Sequence, residues 1–283
     1  MNKSVRSFLV LVVALLGVGS ASAQALVGAW ALGDPSVADS GSGVVVFLNN
    51  GYYFHVEDTS PDSGPWGFDG FERGTYTWNS GTGAFSVNAL QDTNGDIGLS
   101  SLYSSATISV SGNTLTLTDA DGPDTGSFQI NRVTGAQPLV GAWALGDPSV
   151  ADSGSGVVVF LDNGYYFHVE DTSPDSGPWG FDGFERGTYL WTPGTGAFSV
   201  NALQDTNGDI GLSGLYSGAL VSVSGNTLTL ADADGPDTGS FQIDRVTAIP
   251  EPSTYAALAG LGALSLVAWR RRVRQLRALS YTS

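Results

Sequence analysis

The chain has two histidines, and each stands two residues before a glutamate: His55 before Glu57, and His168 before Glu170. Alternate residues of an extended strand share a face, so Tyr53, His55 and Glu57 point one way and Tyr52, Phe54 and Val56 the other. A His–Glu pair is equipped for acid–base work. No nucleophile or metal set accompanies it, so a structural or surface histidine and a non-enzyme are the expectation. Glu72 and Arg73 fall on opposite faces of their strand, and spacing alone does not locate the two facing carboxylates of a glycoside hydrolase. A secreted hydrolase is kept as an alternative.

Asp92, Asn94 and Asp96 place carboxylate, amide and carboxylate at alternate positions, and Asp205, Asn207 and Asp209 repeat the pattern. This is the opening spacing of an oxygen-ligand calcium loop. It departs from an EF-hand, because Gly95 falls at position four and Tyr103 at position twelve. Either calcium binds here, or these are turns that use Asp, Asn and Gly for backbone freedom. The longest irregular stretch, 58–70, carries Trp66 and Phe68, matched by Trp179 and Phe181. Long aromatic loops are frequent binding sites. These four rings are either exposed platforms for polysaccharide or a lid folded over the domain, since large aromatics tend to be buried.

Composition removes whole classes of function. The 283 residues include no Cys, which excludes disulfide scaffolds, thiolate zinc sites and cysteine nucleophiles. Of 11 basic residues, Lys3 and Arg6 lie at the start and five arginines between 270 and 277. Only Arg73, Arg132, Arg186 and Arg245 remain between, against all 27 acids, so the middle carries −23. Such a surface repels phosphate backbones, and no nucleic-acid partner is expected.

Both ends read as addresses. Lys3 and Arg6 precede an apolar run at 8–18, and Ala21-Ser22-Ala23 supplies a small-x-small cleavage pattern. Residues 1–23 are therefore expected to be a signal peptide, cut by signal peptidase. At the other end Pro250-Glu251-Pro252-Ser253-Thr254 precedes an apolar stretch, 255–269, and then Arg270, Arg271 and Arg272. The stretch can enter a bilayer as a transmembrane helix with its arginines on the cytoplasmic side. This order of motif, helix and basic cluster, spanning 249–278, resembles the PEP-CTERM sorting signal of Gram-negative envelope proteins. The resemblance implies recognition by an exosortase near Pro250, Glu251 and Pro252. It further implies transient inner-membrane anchoring, release to the cell surface or extracellular matrix, and association with exopolysaccharide.

The cargo between these addresses is a duplication. Residues 26–134 align without gaps on 139–247, with ten differences in 109 positions, and 135–138 form a short linker. Two domains held in fixed proximity are expected. Each copy shows period-two patterning broken by Gly, Asn and Asp, with predicted strands at 27–32, 43–48, 52–57, 71–78, 84–90, 106–110, 114–118 and 127–133. Eight short antiparallel strands fit an all-β barrel or a β-sandwich. Trp30 on the first strand and Arg132 on the last, with Trp143 and Arg245 in the second copy, can close a barrel by a cation–π stack. This arrangement resembles the lipocalin-like (calycin) barrels. A closed barrel would allow a small apolar ligand inside each copy, in a cavity on the order of several hundred Å³. The leading expectation is an exported binding or structural module for exopolysaccharide, with no cofactor unless calcium binds.

Overall fold

The computed structural model describes residues 25–38, 40–58, 69–94, 98–102, 105–119, 126–151, 153–171, 182–207, 211–215, 218–232 and 239–247. The signal peptide, the 255–269 stretch and the sorting motif lie outside these residues. Among the described residues there are sixteen strands and no α-helix. The first copy contributes β1 (Gly28–Leu32), β2 (Ser42–Phe47), β3 (Tyr52–Asp58), β4 (Gly70–Trp78), β5 (Phe85–Asp92), β6 (Thr107–Ser111), β7 (Thr114–Asp119) and β8 (Gly126–Arg132). The second contributes β9 (Gly141–Leu145), β10 (Ser155–Phe160), β11 (Tyr165–Asp171), β12 (Gly183–Trp191), β13 (Phe198–Asp205), β14 (Leu220–Ser224), β15 (Thr227–Asp232) and β16 (Gly239–Arg245).

Each copy is one antiparallel meander, ordered β5-β4-β3-β2-β1-β8-β7-β6 in the first and β13-β12-β11-β10-β9-β16-β15-β14 in the second. The first and last strands pair, so the sheet curls around. Its two free edges meet at a single bridge, Ala84 with Thr107, repeated as Ala197 with Leu220. The predicted barrel thus forms as a curled sheet joined at one end, and the sandwich is set aside.

The predicted closure device is present in both copies. The Arg132 guanidinium lies 4.1 Å above the Trp30 ring, and Arg245 repeats this over Trp143 at 4.1 Å. Trp30 is fully buried and donates its indole N–H to the Leu26 carbonyl at 2.8 Å. Arg132 Nη1 donates to the Val27 carbonyl at 2.7 Å, tying the last strand to the start of the first. Gly28 has φ +128°, and a Cβ there would lie 2.7 Å from Arg132 Nη1. The glycine two residues before the tryptophan is what lets the arginine reach its ring.

Inside the first barrel Trp30, Val45, Phe47, Tyr53, Phe85, Ile108, Leu115 and Leu117 form the core, and the second barrel has its equivalent around Trp143 and Phe160. A third cluster belongs to neither copy alone. Ala29, Val44, Val46, Phe54, Val56 and Phe71, on the outer face of β1–β4, pack against Ala142, Val157, Val159, Phe167, Val169 and Phe184. This explains why β2 is buried along its whole length instead of alternating. The contact is isologous, its apolar contacts and its arginine–aspartate pairs occurring twice with the copies exchanged. Arg73 Nε lies 2.9 Å from Asp171 Oδ2, and Arg186 Nε lies 2.8 Å from Asp58 Oδ2. The same arginines donate across the interface to the Pro148 and Pro35 carbonyls, each at 2.7 Å. Gln91 donates to Asp182 and Gln204 to Asp69 at the margin. The fixed proximity expected from the short linker is realised as one body spanning Leu26–Ala248.

Candidate functional site

Strand register assembles a polar site inside each barrel. His55 on β3 pairs with Glu72 on β4, and Glu72 pairs in turn with Asp92 on β5. Residues directly opposite across antiparallel strands share a face, so three titratable side chains form one row in the curve of the sheet. The neighbour of His55 on the other side is Val45, opposite Trp30, so the polar row continues the line of the buried tryptophan.

Glu72 is completely buried and is the hub. Tyr53 Oη donates to Oε2 at 3.1 Å, Ser100 N donates to Oε2 at 3.0 Å, and Ser100 Oγ lies 3.1 Å from Oε1. His55 Nδ1 is 3.9 Å from Glu72 Oε1, and its Nε2 is 3.5 Å from Glu57 Oε2. Ser100 Oγ also donates to Asp92 Oδ2 at 2.7 Å. The second copy repeats the network with Tyr166, His168, Glu170, Glu185, Asp205 and Ser213. The surface alternative for the histidines is overturned: His55 and His168 are each 2% exposed. The loop after β5 folds inward and brings Ser100 to Glu72. A glycine, Gly98 at φ +94°, passes so close that a Cβ there would collide with Glu72 Oε1 and lie 2.8 Å from His55 Nδ1.

Burial alone would push Glu72 up and His55 down, but their mutual contact outweighs it. The His55 imidazole, with the Ser100 and Tyr53 donors, holds the Glu72 carboxyl below its usual range, and Glu72 with Glu57 holds His55 above its own. Glu57 is raised, chiefly by burial, with His55 opposing and Glu72 and Asp69 adding to the rise. The raised histidine stabilises the fold fully below its ordinary value of 6.5, and that contribution is lost as pH rises through the raised value. The lowered Glu72 stabilises above its ordinary 4.5 and loses this as pH falls through the lowered value. Ionisation of Glu57 opposes the fold on the alkaline side, in the same sense as loss of the histidine proton. Melting temperature is therefore expected to be higher at about pH 6 than at about pH 8.5. The double variant His55→Gln/His168→Gln should shrink that difference. An unchanged difference would remove the histidines as its source.

The calcium motif divides at the edge of the described residues. Asp92 Oδ1 accepts the Asn94 amide N–H at 3.2 Å, closing an Asx turn, and Asn94 is fully buried. Asp205 and Asn207 do the same at 3.2 Å. Asp96 and Asp209 lie outside the described residues, as do Trp66, Phe68, Trp179 and Phe181.

The second barrel carries a cavity of about 310 Å³ that is partly open to the surface, with the 44% exposed Phe241 in its lining. Val158, Phe160, Leu228 and Leu230 are among its apolar walls, and His168 and Glu170 are its charged lining. Of its thirteen lining positions, the first copy carries the same residue at all except Val221, which corresponds to Ile108. The sequence placed His55 and Glu57 on one face. It did not reveal Glu72, Ser100 and Gly98 as their neighbours, because only the register of β3 on β4 and the fold of the loop after β5 bring these together.

Comparison with protein families matches residues 248–272 to the PEP-CTERM protein-sorting motif. The chain carries a PEP-CTERM sorting signal. Comparison with curated proteins and with solved structures returned no match. The PEP-CTERM signal marks an exosortase-processed protein exported to the cell envelope or surface. It covers the expected sorting residues Pro250 to Thr254 and Arg270 to Arg272 and lies outside the two barrels, so it speaks to delivery and not to what the barrels do.

Proposed function

We propose that this PEP-CTERM protein is a non-enzymatic binding module of the cell surface or extracellular matrix that holds a small, largely apolar ligand inside its barrels. The observation that carries this reading is the cavity of about 310 Å³, walled by aliphatic and aromatic side chains with one imidazole and one carboxylate among them. Mostly apolar concave sites with a few convergent polar groups are the usual form of small-molecule sites. The volume is roughly twice the ~150 Å³ that accommodates benzene, so it suits a ligand of roughly a dozen non-hydrogen atoms. A catalytic role draws no support from the network. The Ser100 hydroxyl is engaged by two carboxylates, and among the described residues no hydroxyl is hydrogen-bonded to a histidine ring. The aromatic loops at Trp66 and Trp179 remain the place where polysaccharide would attach, as an additional contact.

Titration of the full chain with 1-octanol should give saturable heat and raise the melting temperature, with up to two sites per chain. Filling the interior with Leu115→Phe and Leu228→Phe should abolish both effects while leaving the far-ultraviolet circular dichroism unchanged. Absence of saturable binding to the wild-type chain, or equal binding to the filled variant, would reject the reading.

A further inference from the structure

Resting on that reading, we infer that the barrel cavity selects ligands with a protonated amine head and excludes carboxylate-headed ones such as fatty acids. Glu170 is the one carboxylate in the cavity lining and His168 the one basic group. His168 is shared between two carboxylates, with Nδ1 3.8 Å from Glu185 Oε1 and Nε2 3.5 Å from Glu170 Oε2, and Glu185 is fully buried. Asp205 sits next in the same row, opposite Glu185, and Asp182 acts on Glu170 from the start of β12. Tyr166, the remaining titratable group facing Glu185, is neutral and donates to it at 3.1 Å, and Ser213 beside it is neutral as well. The charges around the head of the cavity thus stand at one imidazole against Glu170, Glu185, Asp182 and Asp205.

Nothing else positive is available to correct that balance. Residues 26–247 contain no lysine and four arginines. Arg73 and Arg186 point out of the barrels into the contact between copies, and Arg132 and Arg245 lie over the tryptophans. An anionic head entering here would give up its hydration and meet carboxylates without a counter-ion. An ammonium head would instead pair with Glu170, whose side chain is 17% exposed and so keeps part of its own hydration. Copy one offers the same set in His55, Glu57, Glu72, Asp92 and Asp69.

The test compares octylamine, 1-octanol and octanoate on the full chain at pH 7 by calorimetry, beside the variant Glu57→Gln/Glu170→Gln. Octylamine is expected to bind at least about tenfold more tightly than octanoate, equivalent to about 1.4 kcal/mol. The double variant is expected to lose that preference while its octanol affinity stays within about threefold of wild type. Octanoate binding as tightly as octylamine, or a preference that survives the double variant, would overturn the inference and leave the cavity reading standing. If none of the three probes binds, the cavity reading itself fails.

Discussion

Replacing Arg73 with methionine is expected to lower the unfolding free energy by about 3–5 kcal/mol, the usual cost of removing one partner from a buried ion pair. Both side chains are almost inaccessible, at 4% for Arg73 and 1% for Asp171, so the carboxylate left behind keeps its burial and loses its guanidinium counter-ion. The Pro148 carbonyl loses its Nη1 donor at the same time. Pairing Arg73→Met with Asp171→Leu should recover most of the loss, because replacing a buried pair by apolar side chains is often neutral or stabilising. Denaturant unfolding of the wild type, the single and the double variant separates the two cases. A single variant within about 1 kcal/mol of wild type would mean that this pair is hydrated in solution and that the two barrels are not sealed against each other.

The second large effect is expected at Gly98. An alanine there must adopt φ near +94°, a backbone cost of about 1–3 kcal/mol. Its methyl group would also drive Glu72 away from Ser100 and His55, and leaving buried polar groups without partners adds about 1–3 kcal/mol. Gly112 provides the comparison, since it too has positive φ, +59°, but a Cβ there meets nothing within 4 Å. Gly112→Ala should therefore show only the left-handed backbone cost, about 1–2 kcal/mol. If Gly98→Ala costs no more than Gly112→Ala, the network around Glu72 is loose enough to yield to a methyl group.

The barrel was legible in the sequence almost strand for strand. Alternation marked the strands and Gly, Asn and Asp marked the turns, while barrel and sandwich stayed open until the strand order was known. Closure was legible too: a tryptophan on the first strand and an arginine on the last come together only if those strands are neighbours. The opposite-facing pair Glu72 and Arg73 was also foreseen, and the structure sends one into the barrel and the other to the interface. The partners of that pair were not legible. Asp171 lies in the other copy, and period-two patterning reports that a face is buried without naming what buries it. The one trace was the unbroken apolar run Val44-Val45-Val46-Phe47, too apolar for a strand with one wet side. His55 was assigned to the correct face, yet its setting depends on which residue of β4 stands opposite, a matter of register rather than composition.

The reciprocal docking of the two copies carries a rule of parity. Each copy offers one sticky sheet face and its sister occupies it, so the tandem is a closed couple, unlike a solenoid that stacks onward from either end. A third unit appended in the same chain would find both existing faces taken and would present its own valines and phenylalanines to water. Growth of such a protein by duplication is therefore stable in steps of two, and an odd-numbered descendant would have to recruit its missing spouse from a neighbouring molecule on the cell surface.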